Sequence, residues 1–189
     1  MLREHNKSKI SSPTEQLILV DENDAVQGYQ SKAKCHAGAG LLHRAFSIFI
    51  INDHKQLLIQ KRSHKKRLWP LYWSNSCCSH PRQGEADLAA TQRRLQEELG
   101  FMTPLKFLFK FQYHARYKNK GSEFEICSVY AGRSGALVQA NPDEIAEWKF
   151  ISITELEREL ISFAHHFSPW FKLEWERIRQ HYLSEIGLA

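Results

Sequence analysis

The chain has 189 residues, 42% of them hydrophobic and 25% charged, with a formal net charge of +5 at pH 7. That length carries one domain with a core of its own, and the composition is that of a folded globular chain rather than a disordered or fibrous one. The positive balance suits an anionic partner, either nucleic acid or a small phosphorylated molecule.

Residues 1–14 are polar, run into Ser11-Ser12-Pro13, and read as a loose leader. Gln16 to Asp21 reads as a first strand, and Lys32 to Gly40 as a loop rich in small residues. Leu42 to Ile51 and Gln56 to Arg62 read as a hairpin across Asn52-Asp53-His54-Lys55. Glu85 to Leu99 reads as a helix, closed by Gly100 where a left-handed cap belongs. Its Leu88, Leu95 and Leu99 share one face, while Arg94 and Glu98 lie one turn apart on another. Strands follow at Leu105 to His114, Glu123 to Arg133 and Glu147 to Ile151. Ser152 with Glu155 forms a capping box, and Ser168-Pro169 starts a last helix running to about Ile186. This order of elements makes a single α+β, sandwich-like domain over residues 1–189.

The four cysteines, Cys35, Cys77, Cys78 and Cys127, show no C-x-x-C spacing, which argues against a Cys-rich zinc finger. Neighbouring Cys77 and Cys78 are poorly placed to pair. Met1 to Lys7 holds no apolar signal core, and the longest apolar run, Ala45 to Ile51, is too short to span a bilayer. These features read as a reduced, cytoplasmic protein with free thiols and no membrane partner.

The chemistry concentrates in a few places. Lys61, Arg62, Lys65, Lys66 and Arg67 form one basic cluster, just ahead of the run Trp73-Ser74-Asn75-Ser76-Cys77-Cys78-Ser79-His80-Pro81. The helix that follows carries Arg93, Arg94, Glu97 and Glu98. Clustered carboxylates on a helix can hold Mg²⁺ together with substrate phosphates; the same residues also read as i,i+4 ion pairs on a wet face. Glu123 and Glu125 point to one side of a strand.

The segment from Ser79 through Glu85, Arg93, Arg94, Leu95, Glu97, Glu98, Gly100 and Phe101 resembles the Nudix box, G-x5-E-x7-R-E-U-x-E-E-x-G-U with U aliphatic. Ser79 stands where the first glycine belongs, and Arg94 where Nudix hydrolases carry a metal-binding glutamate. A cation at that position suits a protein that holds a diphosphate without cutting it. From about Lys32 to Trp170 the chain resembles the type 1 isopentenyl-diphosphate Δ-isomerases. Trp73 to Pro81 fits their W-[ST]-N-[ST]-x-C-x-H-P signature, His36 and His43 their His-x6-His pair, Glu123-Phe124-Glu125 their E-x-E pair, and Ser168-Pro169-Trp170 their aromatic turn.

The resemblance implies a Nudix-type α/β/α sandwich with a mixed central sheet. It implies interconversion of isopentenyl and dimethylallyl diphosphate through a carbocation-like intermediate, with Cys78 and Glu125 as the catalytic pair. It also implies a Mn²⁺ or Zn²⁺ site at His36, His43, His80, Glu123 and Glu125, and a Mg²⁺ bridging Glu98 to the diphosphate. Lys32, Arg62, Lys66 and Arg94 would hold the anion, Tyr113 would hydrogen-bond the carboxylate, and Trp170 would face the cation. Cys78 is expected to have a lowered pKa beside His80 and a bound cation. Cys77 is read as structural, Cys35 and Cys127 as buried apolar residues, and Trp69 and Trp73 as packing. Two alternatives are a Nudix hydrolase of a nucleoside diphosphate derivative and a metal-stabilised nucleic-acid-binding module. Arg94 speaks against the first, and the absence of a DNA- or RNA-binding signature against the second. A monomer is the favoured state.

Overall fold

The computed structural model describes residues 11–188; the part of the expected leader before Ser11 lies outside the described residues. Residues 11–14, read from sequence as part of that leader, form a turn whose Pro13 carbonyl accepts from the Ala33 amide at 3.0 Å.

The chain runs β1 (Gln16–Val20), β2 (Val26–Ser31), α1 (Lys32–Cys35), β3 (His43–Ile51), β4 (Leu57–Arg62), β5 (Trp73–Ser74), β6 (Cys77–Ser79), α2 (Asp87–Leu99), β7 (Leu105–Tyr117), β8 (Gly121–Arg133), β9 (Ile145–Ile151), α3 (Ile153–Ser162) and α4 (Pro169–His181). The strands make one mixed nine-stranded sheet. Its centre is β3, whose apolar sequence His-Arg-Ala-Phe-Ser-Ile-Phe-Ile-Ile is that of a strand covered on both faces. β8 runs parallel along one edge of β3, from His43↔Glu125 to Ile51↔Arg133. The other edge is shared in turn by β1 at His43, β6 at Phe46–Ile48 and β4 at Ile50–Ile51.

Alternation along β3 divides the core into two layers. Ala45, Phe49 and Ile51 pack with Leu156 of α3 and with Trp170, Phe171, Trp175 and Ile178 of α4. Phe46, Ile48 and Ile50 pack with Ala90, Leu95 and Leu99 of α2. Helices on both faces of a mixed sheet give the α/β/α sandwich. Removing any one of the buried aromatics of α4 would cost roughly 3–5 kcal/mol by cavity formation.

Several elements depart from the sequence reading. The segment expected as a loop from Lys32 begins with the one-turn α1. β2 was not anticipated, because it contains Gly28 and exposes most of its side chains, so no buried alternation marks it. β5 and β6 are too short to show a period. Leu88, in the first turn of α2, is 54% exposed, whereas Arg94 and Glu98 are among the helix's buried residues. The Ser152–Glu155 capping box is formed. α4 stops at His181 rather than near Ile186, and Ser168 gives no side-chain cap; its hydroxyl lies 3.0 Å from the Ser74 hydroxyl instead.

Two glycines are fixed by the backbone. Gly100 caps α2 in the left-handed region at φ 80°. Gly121 opens β8 at φ +148°, and a Cβ there would collide with the His36 carbonyl oxygen. The same carbonyl accepts from the Ser122 amide at 3.2 Å, so the start of β8 fixes the end of α1. Gly121→Ala is therefore expected to destabilise the fold by about 3 kcal/mol and to displace His36. Urea unfolding that matches wild type would contradict this.

Candidate functional site

The strand registers assemble the site. β3 sets His43 opposite Glu125 on one side and Ser47 opposite Cys78 on the other. β7 sets Tyr113 opposite Glu125. His80 follows β6, and His36 terminates α1 against the start of β8. Glu123 and Glu125, two residues apart on β8, face the same way, and both are buried.

The result is a cluster of three imidazoles and two carboxylates, from His36, His43, His80, Glu123 and Glu125, whose donor atoms all lie within 4.8 Å of one another. His36 Nδ1 lies 2.7 Å from the Lys32 carbonyl oxygen, and His43 Nδ1 lies 2.6 Å from the Leu41 carbonyl oxygen. A carbonyl only accepts, so each Nδ1 carries a proton and each Nε2 faces the cluster. His36 Nε2 is 2.6 Å from Glu123 Oε2, and His80 Nε2 is 2.9 Å from Glu125 Oε1. His43 Nε2 and His80 Nδ1 are buried without a hydrogen-bond partner. A buried, unpartnered imidazole lone pair is costly unless something electrophilic meets it. The donor set fits a divalent cation of the Zn²⁺ or Mn²⁺ type, and Mg²⁺ less well.

The charges in the cluster are set by burial and by neighbours. Burial pushes His80 well below the usual imidazole range, with Lys32, His43 and His36 acting in the same direction. For His36 burial also works downward, but the carboxylate of Glu123 outweighs it and the value rises. Burial would raise Glu125; His43 and the Tyr113 hydroxyl, which donates at 2.6 Å, hold it below the normal carboxylate value. Glu125 is therefore an anion at neutral pH.

A cavity of about 620 Å³ opens beside the cluster. Cys78, Glu125, Glu123, His36, His80, Tyr113 and Trp170 all border it. So do the cations Lys32, Arg62, Lys65, Lys66 and Arg67, which makes it a basin for an anion. Lys32 and Ser11 are joined by a 2.7 Å hydrogen bond, and burial brings the Lys32 ammonium down to about 8. Arg62 is committed elsewhere: it donates to the Trp69 carbonyl at 3.1 Å, the Leu68 carbonyl at 3.0 Å and Cys78 Sγ at 3.7 Å. Its guanidinium lies 5.1 Å from the centre of the Trp170 ring, so that ring already receives a cation. The Trp170 indole is held by Ser74 Oγ at 3.0 Å and Asn75 Oδ1 at 3.3 Å, within the Trp73 to Pro81 run. Trp69 meets Trp170 edge-on at 5.3 Å.

Cys78 departs from the expectation of a lowered pKa. Burial pushes its thiol up to about 12, and Arg62 offsets this only in part. It is a neutral thiol, an acid rather than a thiolate. Cys77 turns to the α2 side of the sheet and is fully buried. Cys35 and Cys127 are buried.

His43, Arg94 and Glu98 do not border the cavity. Arg94 is enclosed by carboxylates: it pairs with Glu98, with Glu97 at 3.0 Å and with Glu144 at 3.2 Å. Glu144 also pairs with Lys66 and does border the cavity. Arg94 thus reaches the basin through Glu144. Two further carboxyls, Glu144 and Glu174, were not singled out in the sequence. Neither sits in a recognisable motif, and each is buried by contacts that only the fold creates.

Residues 41–171 match the family described as the NUDIX domain, most of the chain's length. The sandwich is also similar to the crystal structure of DR0079 from Deinococcus radiodurans, with a TM-score of 0.70 at 23% identity over 89% of this chain and 99% of that one. The chain belongs to the Nudix family. Isopentenyl-diphosphate Delta-isomerase 1 of Photorhabdus laumondii is 42% identical over 174 residues, 91% of this chain and 99% of that protein. Isopentenyl-diphosphate Delta-isomerase of Serratia proteamaculans is 43% identical over 157 residues, 83% of this chain and 87% of that protein. Within the Nudix family it belongs with these isomerases.

The Glu144 pairings make an acid-side prediction. Although burial alone would raise it, Lys66 and Arg94 hold the Glu144 carboxyl down to about 2 against 4.5 when unperturbed. A depressed folded-state pKa contributes stability above the unfolded value, and loses it as pH falls through the folded one. Wild type should exceed Glu144→Gln at pH 7 by on the order of 3 kcal/mol, and the gap should close between pH 4.5 and about 2. Urea unfolding showing a gap independent of pH would refute the assignment.

Proposed function

We propose that this protein interconverts isopentenyl diphosphate and dimethylallyl diphosphate, with Cys78 and Glu125 as the proton-transfer pair. The observation that carries the reading is that a neutral thiol and a carboxylate anion border one cavity, whose mouth is lined with cations. Moving a double bond by one carbon requires one group to add a proton to the alkene and another to remove one from the neighbouring carbon. In the direction in which Cys78 is the acid, its S–H proton goes to the terminal alkene carbon. The positive charge is left on the internal alkene carbon; Glu125 then takes a proton from the CH₂ on the other side of that carbon, and the C–H electron pair becomes the new double bond. Tyr113, donating to Glu125, steadies the carboxylate for that task. Trp170, which borders the same cavity, would offer an aromatic face to the intermediate's positive charge.

His36, His43, His80, Glu123 and Glu125 would hold Mn²⁺ or Zn²⁺, with Glu125 serving as both ligand and catalytic group. Such an ion would fix the orientation of Glu125 and spread its negative charge. Lys32, Lys66 and Arg62 from the basin, with Arg94 acting from behind Glu144, would bind the diphosphate. Mg²⁺ carried in with the diphosphate would meet Glu98, close to Glu144 through their shared Arg94. Arg94 also separates this reading from hydrolysis, since it stands where the hydrolase pattern has a metal-binding glutamate. A monomer in the cytoplasm completes the proposal.

Purified protein with isopentenyl diphosphate and Mg²⁺ in deuterated water should give the dimethylallyl isomer carrying solvent deuterium, seen by proton NMR. Phosphate release without isomer would instead favour a hydrolase. Cys78→Ala should fold normally and lose at least about a thousandfold in kcat. Glu125→Gln should lose activity comparably and retain less Mn²⁺ or Zn²⁺ by elemental analysis. Full metal content at a normal rate would remove Glu125 from both roles.

A further inference from the structure

Glu174 is the only acidic residue on the buried face of α4, among Trp170, Phe171, Trp175 and Ile178. It is fully buried and follows Trp170 by one turn, so both look toward the sheet. Its Oε1 lies 3.6 Å from Cys127 Sγ, which in turn lies 3.6 Å from the Ser47 hydroxyl. Its Oε2 is buried without a hydrogen-bond partner. Ser47 borders the cavity and is the cross-strand partner of Cys78. A leucine at this helix position would fill the space without stranding a polar atom, so packing alone does not account for a carboxyl here.

We propose that Glu174 is a positioning residue for the isomerisation: through Cys127 and Ser47 it orders the wall behind Cys78. The inference rests on the isomerase reading. Packed against Glu174 are Cys127 on β8 and, beyond it, Ser47 on β3, while Glu125 on β8 and Cys78 on β6 interact with it through charge. The nearby cation, Arg62 on β4, donates to Cys78. Burial pushes the Glu174 carboxyl up to about 8; Ser47 and Cys127 resist this, and Glu125 reinforces it. At neutral pH it is a neutral acid that can both donate to and accept from a hydroxyl. Once ionised it places a buried negative charge behind Cys78, which disfavours any step in which that thiol gives up its proton.

The test is steady-state isomerisation of isopentenyl diphosphate between about pH 6.5 and 9.5, in wild type, Glu174→Gln, Glu174→Leu and Ser47→Ala. Wild-type kcat should fall on the alkaline side with an apparent pKa near 8. Glu174→Gln, uncharged throughout, should keep its neutral-pH kcat and lose that alkaline fall. Glu174→Leu should melt no lower than wild type, yet lose roughly tenfold in kcat with KM within about twofold. Ser47→Ala should weaken the alkaline fall. An alkaline fall in Glu174→Gln equal to that of wild type, no such fall in wild type, or a wild-type kcat in Glu174→Leu would each overturn the inference. If Glu174→Leu fails to fold, the Glu174→Gln profile decides alone. Wild type that does not isomerise at all refutes the isomerase reading itself, whereas active wild type with an unchanged Glu174→Gln profile refutes only the role of Glu174.

Discussion

The position of β3 between β8 and β6 is the constraint on which the site depends. One strand sets His43 against Glu125 on one edge and Ser47 against Cys78 on the other. Side chains alternate, so a one-residue slip in either pairing would turn a ligand or the thiol to the opposite face of the sheet. Such a slip is opposed by both core layers at once, because Phe46, Ile48 and Ile50 must meet α2 while Ala45, Phe49 and Ile51 must meet α4. The packing that stabilises the fold is therefore what holds the sulfur and the carboxylate on one cavity.

Around that frame the protein buries an unusual amount of charge in two compartments. The histidine–glutamate cluster leaves imidazole nitrogens without partners, a state that burial penalises and a cation relieves. The Lys66–Glu144–Arg94–Glu98 chain, by contrast, is internally paired. Breaking one member would leave an uncompensated buried charge, whereas an arriving anion exchanges one partner for another. A diphosphate that draws on Lys66 must compete with Glu144. A divalent cation bound alongside it would meet Glu98 and Glu144 just as they lose their share of positive charge.

Much of this was legible in the sequence, and the exceptions have physical reasons. The E-x-E alternation on a strand, the Gly100 cap and the Ser152–Glu155 box are local signals, and local geometry delivers them. The histidines are another matter. Nothing about His36 or His43 taken singly marks a ligand; the resemblance to a family singled them out, and the fold brings them together. Arg94 and Glu98 read as a wet-face ion pair by spacing, but α2 turns that face into the protein. Glu144 and Glu174 carry no local signal, since what makes them unusual is burial created by distant segments. Cys78 follows the same pattern: its proximity to cations is legible in the sequence, but the depth of burial that outweighs Arg62 and Lys66 is not.

The depth at which Cys78 is buried bears on the chemistry. An unactivated alkene is a weak base, and a thiolate has no proton to offer it. A thiol held at about 12 keeps its proton at working pH, and the opposing carboxylate, held low by His43 and Tyr113, stays ready to receive one. Two neighbouring groups pushed in opposite directions by their surroundings are the arrangement by which one site holds an acid and a base at once. Water would short-circuit this arrangement by capturing a cationic intermediate. The wall of the cavity opposes that with Trp170, backed by Trp69 and pinned through its indole nitrogen to Ser74 and Asn75. The Trp73 to Pro81 run thus supplies the thiol, an imidazole of the histidine–glutamate cluster and the anchors of the aromatic wall from nine consecutive residues. That shared origin explains why the run was the most informative stretch of the sequence.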